Sequence, residues 1–487
     1  MPAKPKKPGK SRSVFPFPRH LTRIVATVGP ASNDPETIGR LIDAGVDVFR
    51  LNFSHGTREE HAGVYATIRR IADEKATSIA ILQDVPGPKL RIGDLEASEV
   101  ELIAGRTFRL DTRVESGTAI EAGFQNDGWL ESVSPGNRIL LGDGNIQLKV
   151  KRVDQYGLDC EVLAGGLLRS RQGMNFPDTE LDLGAVTDKD WKDIEFGLEL
   201  GVDLLALSFV QGPDDLIAVR RFIQRRPDSP LLVAKIELPH AVERIQEILD
   251  RADGIMVARG DLGITLPIER IPVVQKRLIR LAREAGKFVI TATQMLESMT
   301  QSPRPTRAEA TDVANAVYDG TDAVMLSGET AVGVHPVLVV ETMSRILSET
   351  EPEVALPRLA KMDDTIDGAM SRAVKALVNE LRAKAILVPL SHGSTVRRLS
   401  RQRMGVPVIV GVPNATLARK LIVYSSVFPV LVPSDNSLFQ NTKHVLNVAK
   451  RFGWVADGDV VLSSGGFPLQ QHGNTNFVRA LVVGGEI

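Results

Sequence analysis

The chain has 487 residues, 43% hydrophobic and 24% charged, with 59 basic against 60 acidic side chains and a formal net charge of −1. That length exceeds one hydrophobic core and predicts about three domains, and the balanced charge excludes nucleic acid or an anionic membrane drawn in by a global field. The lone Cys160 excludes an internal disulfide and a Cys-rich metal site, and no apolar run reaches the roughly 18 residues of a spanning helix.

Residues 1–19 carry Lys4, Lys6, Lys7, Lys10, Arg12 and Arg19 among prolines and lack the apolar stretch of a signal peptide, which predicts a disordered basic tail. Apolar runs at Arg23–Gly29, Val46–Ser54 and Ser78–Asp84 read as buried parallel strands, with amphipathic helices at Pro35–Ala44 and Glu59–Glu74 between them. The fourth run, Leu204–Val210, follows only after about 120 residues, far beyond a normal βα loop. The intervening 89–184 are rich in Gly and alternating patterns, such as Arg138–Val150 and Leu158–Leu163. They read as a separate small β domain on the barrel's active face, hinged at Gly87 and Pro88 and at Asn175–Asp178. After the helix Pro213–Arg225, one pattern recurs four times. Leu231–Ala234 runs into Lys235 and Glu237, Gly254–Ala258 into Arg259, Gly260 and Asp261, Phe288–Ala292 into Thr293, and Ala323–Leu326 into Ser327 and Glu329. Eight strands in βα alternation close a (β/α)8 barrel, here over 20–88 and 185–348. Beyond the linker Glu351–Pro357, runs at Ala385–Leu390, Val406–Val412, Phe428–Val432, Asp459–Ser463 and Ala480–Val483 predict an open α/β domain over 349–487.

The chemistry collects at the carboxyl ends of the barrel strands, where such enzymes keep it. Glu237 and Asp261 follow neighbouring strands, and two carboxylates suit Mg²⁺ or Mn²⁺. Lys235 lies two residues before Glu237 and shares its face, so a fixed ammonium beside a divalent cation can stabilise a transferring phosphoryl group or an enolate. A structural ion pair between Lys235 and one carboxylate fits the same spacing. Gly260 and Asp261 offer free amides to an anion at a strand-to-helix turn, Arg50 a planar fork for phosphate, and Asn52, Ser54 and Asp84 oxygens for a cation, with loop capping as the alternative for the last two. Ser391, His392, Gly393, Ser394 and Thr395 follow a strand and open a helix, as either a phosphate cradle or a plain N-cap.

Together these segments resemble the pyruvate kinase family. The matching words are TRIVATVGPAS (Thr22–Ser32), RLNFSHG (Arg50–Gly56), AKIE (Ala234–Glu237), DGIMVARGDLGI (Asp253–Ile264), ATQMLESM (Ala292–Met299), RPTRAEATDVANAV (Arg304–Val317) and MLSGETAVG (Met325–Gly333). The resemblance implies phosphoryl transfer from phosphoenolpyruvate to ADP, giving ATP and the enolate of pyruvate, at the last step of glycolysis. It implies Mg²⁺ (or Mn²⁺) on Glu237 and Asp261, Lys235 on the phosphoryl group and enolate oxygen, and Arg50 on phosphate. It further implies Gly260, Asp261 and Thr293 on the substrate carboxylate, Thr293 on the protonation side, and Asn52, His55 and Arg91 on the nucleotide. A small β-barrel lid domain formed by 89–184, a homotetramer, cytoplasmic placement and an activator site for a sugar phosphate or nucleotide at Ser391–Thr395 and Gln471–Asn476 are also implied.

The chain departs from the pattern where many members read DTKGPEIR, since here Asp84–Arg91 is DVPGPKLR. The family's glutamate accompanies a K⁺ requirement. Lys89 in its place can supply the same single charge from a tethered ammonium, so K⁺-independent activity is expected. Val332, Gln211 and Gln172 replace frequent basic residues, which predicts altered nucleotide affinity rather than lost chemistry. The competing readings are a Mg²⁺-dependent pyruvate or enolate lyase and a catalytically inactive sugar-phosphate sensor.

Overall fold

A computed structural model describes residues 20–125, 128–142, 144–181, 183–356, 359, 364–434, 436–467 and 475–485. The basic tail and most of the expected effector loop, 471–474, lie outside these described residues.

Eight parallel strands close a barrel: β1 (Arg23–Thr27), β2 (Val48–Asn52), β3 (Ala80–Val85), β4 (Leu204–Leu207), β5 (Leu231–Ile236), β6 (Gly254–Ala258), β7 (Phe288–Ala292) and β8 (Ala323–Leu326). Each pairs with the next in sequence, and β1 returns to β8 with Arg23 opposite Ala323 and Ala26 opposite Leu326. Val25, Leu82, Val233, Met256 and Ile290 fill the interior, and alternate residues such as Ile24, Ile81 and Ile255 pack outward under the helices. Burial on both faces is why these strands read as unbroken apolar runs.

The helices start and stop where local chemistry dictates. Pro35–Ala44 begins with Asp34 accepting from the Thr37 amide and ends at Gly45, whose φ of 119° suits only glycine. Arg58–Glu74 begins one residue earlier than expected because Thr57 and Glu60 form a reciprocal capping box. β4 stops at Leu207, three residues short of the expected end. There Ser208 Oγ donates to the Val85 carbonyl at 2.7 Å, and Phe209 turns to a φ of 54° so that its amide reaches Glu237.

Between β3 and β4 the chain forms a separate curled six-stranded sheet. Trp129 is fully buried at its centre, with Phe124 and Phe176 rings at 5.1 and 5.0 Å. The single run expected over Arg138–Val150 is two strands, Arg138–Leu141 and Ile146–Asp154, because Gly142 and Gly144 take positive φ and turn the chain.

The C-terminal part is a five-stranded sheet of β9 (Ala385–Val388), β10 (Val408–Val412), β11 (Val427–Leu431), β12 (Val460–Gly465) and β13 (Phe477–Val482), in spatial order β11-β10-β9-β12-β13. Only β13 runs antiparallel. The winding reverses between β9 and β12, so the turn Ser391–Thr395 sits at the switch point, where open α/β sheets take ligands.

Two buried carboxylates rivet this domain to the barrel floor. Asp203, just before β4, accepts from Arg69 Nη2 at 2.6 Å, the Ile81 amide at 2.8 Å and Arg419 Nε, on the C-terminal helix Ala415–Leu421, at 2.8 Å. Asp322, just before β8, holds Arg403 Nη2 at 2.7 Å and the Ser425 amide at 3.0 Å. Among the described residues no helix is long and apolar enough to cross a membrane.

Candidate active site

The carboxyl ends of β2 to β7 bring together the residues expected from sequence. Lys235 Nζ lies 2.9 Å from Glu237 Oε1, 3.3 Å from Asp84 Oδ1 and 2.6 Å from Ser208 Oγ. The shared face of Lys235 and Glu237 follows from strand alternation, as anticipated. Asp84 bridges onward, since Arg50 Nε donates to its second oxygen at 2.7 Å and Arg50 Nη1 reaches Thr27 Oγ1 at 3.0 Å.

Burial pushes the Asp84 carboxyl up, yet the ammonium of Lys235 and the guanidinium of Arg50 outweigh it and hold Asp84 below its usual range. Burial works against the charged form of Lys235, but Asp84 and then Glu237 more than offset this, so the ammonium stays protonated well above the ordinary lysine range. Burial raises Glu237, and the nearby carboxylate of Asp261 raises it further against the pull of Lys235.

Lys235 and Arg50 face Asp84, Glu237 and Asp261, two positive charges against three negative. Asp261 sits in the short helix Arg259–Thr265 after β6, half-buried and without an ion pair among the described residues. Two hard carboxylates set close together fit a divalent cation, which relieves their repulsion. No group of three or more His, Cys, Asp or Glu converges among the described residues.

On the other wall, Thr293 takes a φ of 65°, which a β-branched residue rarely adopts. Its Oγ1 donates to the Ala292 carbonyl at 2.7 Å and accepts from the Gly260 amide at 2.7 Å. Arg259 braces this turn: Nε donates to the Ala292 carbonyl at 3.2 Å, Nη2 to the Thr293 carbonyl at 2.5 Å, and Nη1 pairs with Asp312 at 2.6 Å.

The other candidates are less tightly drawn in. Asn52 Oδ1 accepts from the Ser54 amide at 3.2 Å, and the His55 carbonyl accepts from His61 Nε2 at 2.9 Å. Arg91 donates to the Arg171 carbonyl at 2.9 Å on the lid. Exposed Lys89 has its Cε beside Gly173 rather than beside Asp84, whose two oxygens are already engaged. In the C-terminal turn, Ser391 Oγ accepts from the Gly393 amide at 3.0 Å and Thr395 Oγ1 meets Thr475 Oγ1 at 2.9 Å, while Ser394 and His392 face outward to a greater degree. Sequence reasoning missed the roles of Ser208, Thr27 and Arg259. Ser208 was findable as a hydroxyl at a strand end, the signal that singled out Thr293; the brace formed by Arg259 depends on Asp312, 53 positions away.

Residues 19–340 match the family model described as "Pyruvate kinase, barrel domain", and 368–481 match "Pyruvate kinase, alpha/beta domain". Among curated proteins, the chain is 42% identical over 473 residues to "Pyruvate kinase 2" of Synechocystis sp., covering 96% of this chain and 80% of that one. It is 42% identical over 471 residues to a "Pyruvate kinase" of Agrobacterium vitis, covering 95% and 98%. A "Pyruvate kinase" of Staphylococcus aureus (strain MRSA252) is 39% identical over 473 residues, at 96% and 81% coverage.

Proposed function

From the premise that the chain belongs to the pyruvate kinase family, and is therefore a phosphotransferase acting on phosphoenolpyruvate and ADP with a divalent cation, we propose how its own residues divide that work. The observation that carries the reading is the buried Lys235 ammonium, held protonated between Asp84 and Glu237 at the barrel mouth.

A β-phosphate oxygen of ADP attacks the phosphorus of phosphoenolpyruvate, the bond to the enol oxygen breaks, and the electron pair leaves on that oxygen. Lys235 lies where this charge develops and is already oriented by Ser208, so it stabilises the transition state without reorganising. Arg50, fixed by Asp84 and Thr27, holds the phosphoryl oxygens. The amides of Gly260 and Asp261 take the substrate carboxylate, which shares the Gly260 amide with Thr293. The Thr293 hydroxyl marks the face from which a proton, relayed through water, reaches the methylene carbon and completes pyruvate. Glu237 and Asp261 would hold Mg²⁺ (or Mn²⁺), which would supply positive charge to neutralise the phosphoryl oxygens. Asn52, His55 and Arg91 meet the nucleotide, and the lid closes over the mouth to exclude water. Ser391–Thr395 binds the phosphate of a sugar-phosphate or nucleotide activator, in a cytoplasmic homotetramer.

The test is initial-rate pyruvate formation from phosphoenolpyruvate and ADP with Mg²⁺, run with K⁺ and with K⁺ replaced by tetramethylammonium at equal ionic strength. Turnover that is unchanged by the exchange is expected from the lysine at position 89, although its stem rests beside Gly173 and its ammonium must swing toward Asp84 to serve there. Turnover that collapses without K⁺ sinks the Lys89 argument while leaving the transferase intact. Carbon–carbon cleavage without nucleotide would favour a lyase, and binding of sugar phosphate without any turnover a sensor.

A further inference from the structure

A cavity of about 70 Å³ lies where the two segments that carry the lid pass over the barrel. Its walls come from both bodies: Lys89 and Thr179 belong to the outgoing and returning lid segments, and Phe209, Leu238 and His240 to the loops after β4 and β5. That much water-accessible space admits roughly five water molecules or one ring-sized molecule. The walls are mainly apolar with a few polar groups, the make-up of a small-molecule site.

The polar lining residues are Lys89, Asn175, Thr179, Gln211 and His240, and Gln211 already donates to the Leu181 and Leu183 carbonyls. Thr179 Oγ1 and His240 Nε2 are both buried and lack any hydrogen-bond partner. The Lys89 ammonium makes no ion pair among the described residues. All three can donate hydrogen bonds, and no carboxylate stands among the described lining residues. Glu237, which the Phe209 amide contacts at 2.7 Å, is also committed to Lys235.

We propose that this hinge cavity binds a small monocarboxylate with a compact apolar body. Thr179, His240 and Lys89 take its carboxylate, and Leu183, Phe209 and Leu238 enclose its body. An occupant touches lid and barrel at once, and it presses on Phe209, whose amide orients Glu237. Occupancy therefore favours one lid angle. This kinetic consequence rests on the lid closure proposed above, whereas binding itself does not.

The probe is benzoate, with benzamide as its neutral isostere, titrated against the full chain by saturation-transfer NMR. Benzoate is expected to bind about tenfold tighter than benzamide. Thr179→Val should weaken benzoate alone, and Leu183→Trp, which fills the space, should abolish both; circular dichroism checks that each variant is folded, and the Thr179→Val comparison stands if Leu183→Trp is not. Saturating phosphoenolpyruvate without ADP should leave the signal in place. No binding at about 10 mM, equal binding of benzamide, indifference to both variants, or displacement by phosphoenolpyruvate (which puts benzoate in the substrate site) each overturns the proposal. With binding established, a benzoate-dependent shift in the KM for ADP that Leu183→Trp removes is expected; its absence would overturn the lid consequence but not the site.

Discussion

Lys235→Met is expected to lower kcat by on the order of 10²–10³-fold or more, with a much smaller change in substrate affinity. Methionine keeps the length of the side chain and deletes its charge, and loss of one preorganised group facing developing negative charge costs that much in comparable sites. The same substitution leaves Asp84 and Glu237 buried without their shared counter-charge. Removing one member of a buried ion cluster costs about 3–5 kcal/mol, so thermal unfolding belongs beside the rate assay. The two readings of Lys235 separate cleanly in this pair of measurements. A catalytic ammonium predicts a rate defect that persists at temperatures where the variant is fully folded. A structural ion pair predicts lost stability with kcat preserved within about threefold in the folded fraction, and that result would remove Lys235 from the mechanism. Added Mg²⁺ should partly restore stability and leave the rate low, since a cation on Glu237 and Asp261 replaces charge but not its position.

Asp203→Ala should destabilise the union of barrel and C-terminal domain by about 3–5 kcal/mol. The carboxylate is 1% exposed and receives the Arg69 and Arg419 guanidinium groups together with the Ile81 amide. Its loss strands two arginines, one of which already has a buried, unpartnered Nε. Urea unfolding and amide exchange at Ile81 check the effect. A double-mutant cycle with Arg419→Ala isolates the part that crosses between domains. If the cycle gives less than about 0.5 kcal/mol, the contact is packing without coupling, and a route from the Ser391–Thr395 turn to the barrel would have to run through Asp322 and Arg403 instead.

The barrel was legible because each strand is apolar through its length, and β6, β7 and β8 fall where the pattern put them. Strand ends were less legible wherever a polar contact cuts the ladder short. Ser208 stops β4 by bonding to Val85 on the neighbouring strand, a partner 123 positions away. The candidate residues were also readable as types at strand ends, but their wiring was not. That Asp84 joins Arg50 to Lys235 depends on three strands meeting around a closed ring, which no local window contains. Lys89 shows the same limit: its place in the sequence aims it at the cation region, and the hinge geometry sets its stem beside Gly173. The lid run over Arg138–Val150 hid a turn because its glycines also fit an irregular strand.

The pairing of β1 with β8 sets a condition on synthesis. Arg23 cannot meet Ala323 until the whole intervening chain, lid included, has left the ribosome. At roughly 5–20 residues per second, β1 waits on the order of 15–60 s with an open edge. Over that interval the half-made barrel offers unpaired backbone groups to any other nascent strand, whereas the lid, whose strands pair within one continuous segment, can fold as soon as it emerges. The inserted domain is thus the first part able to become native, and the ring that carries it is among the last.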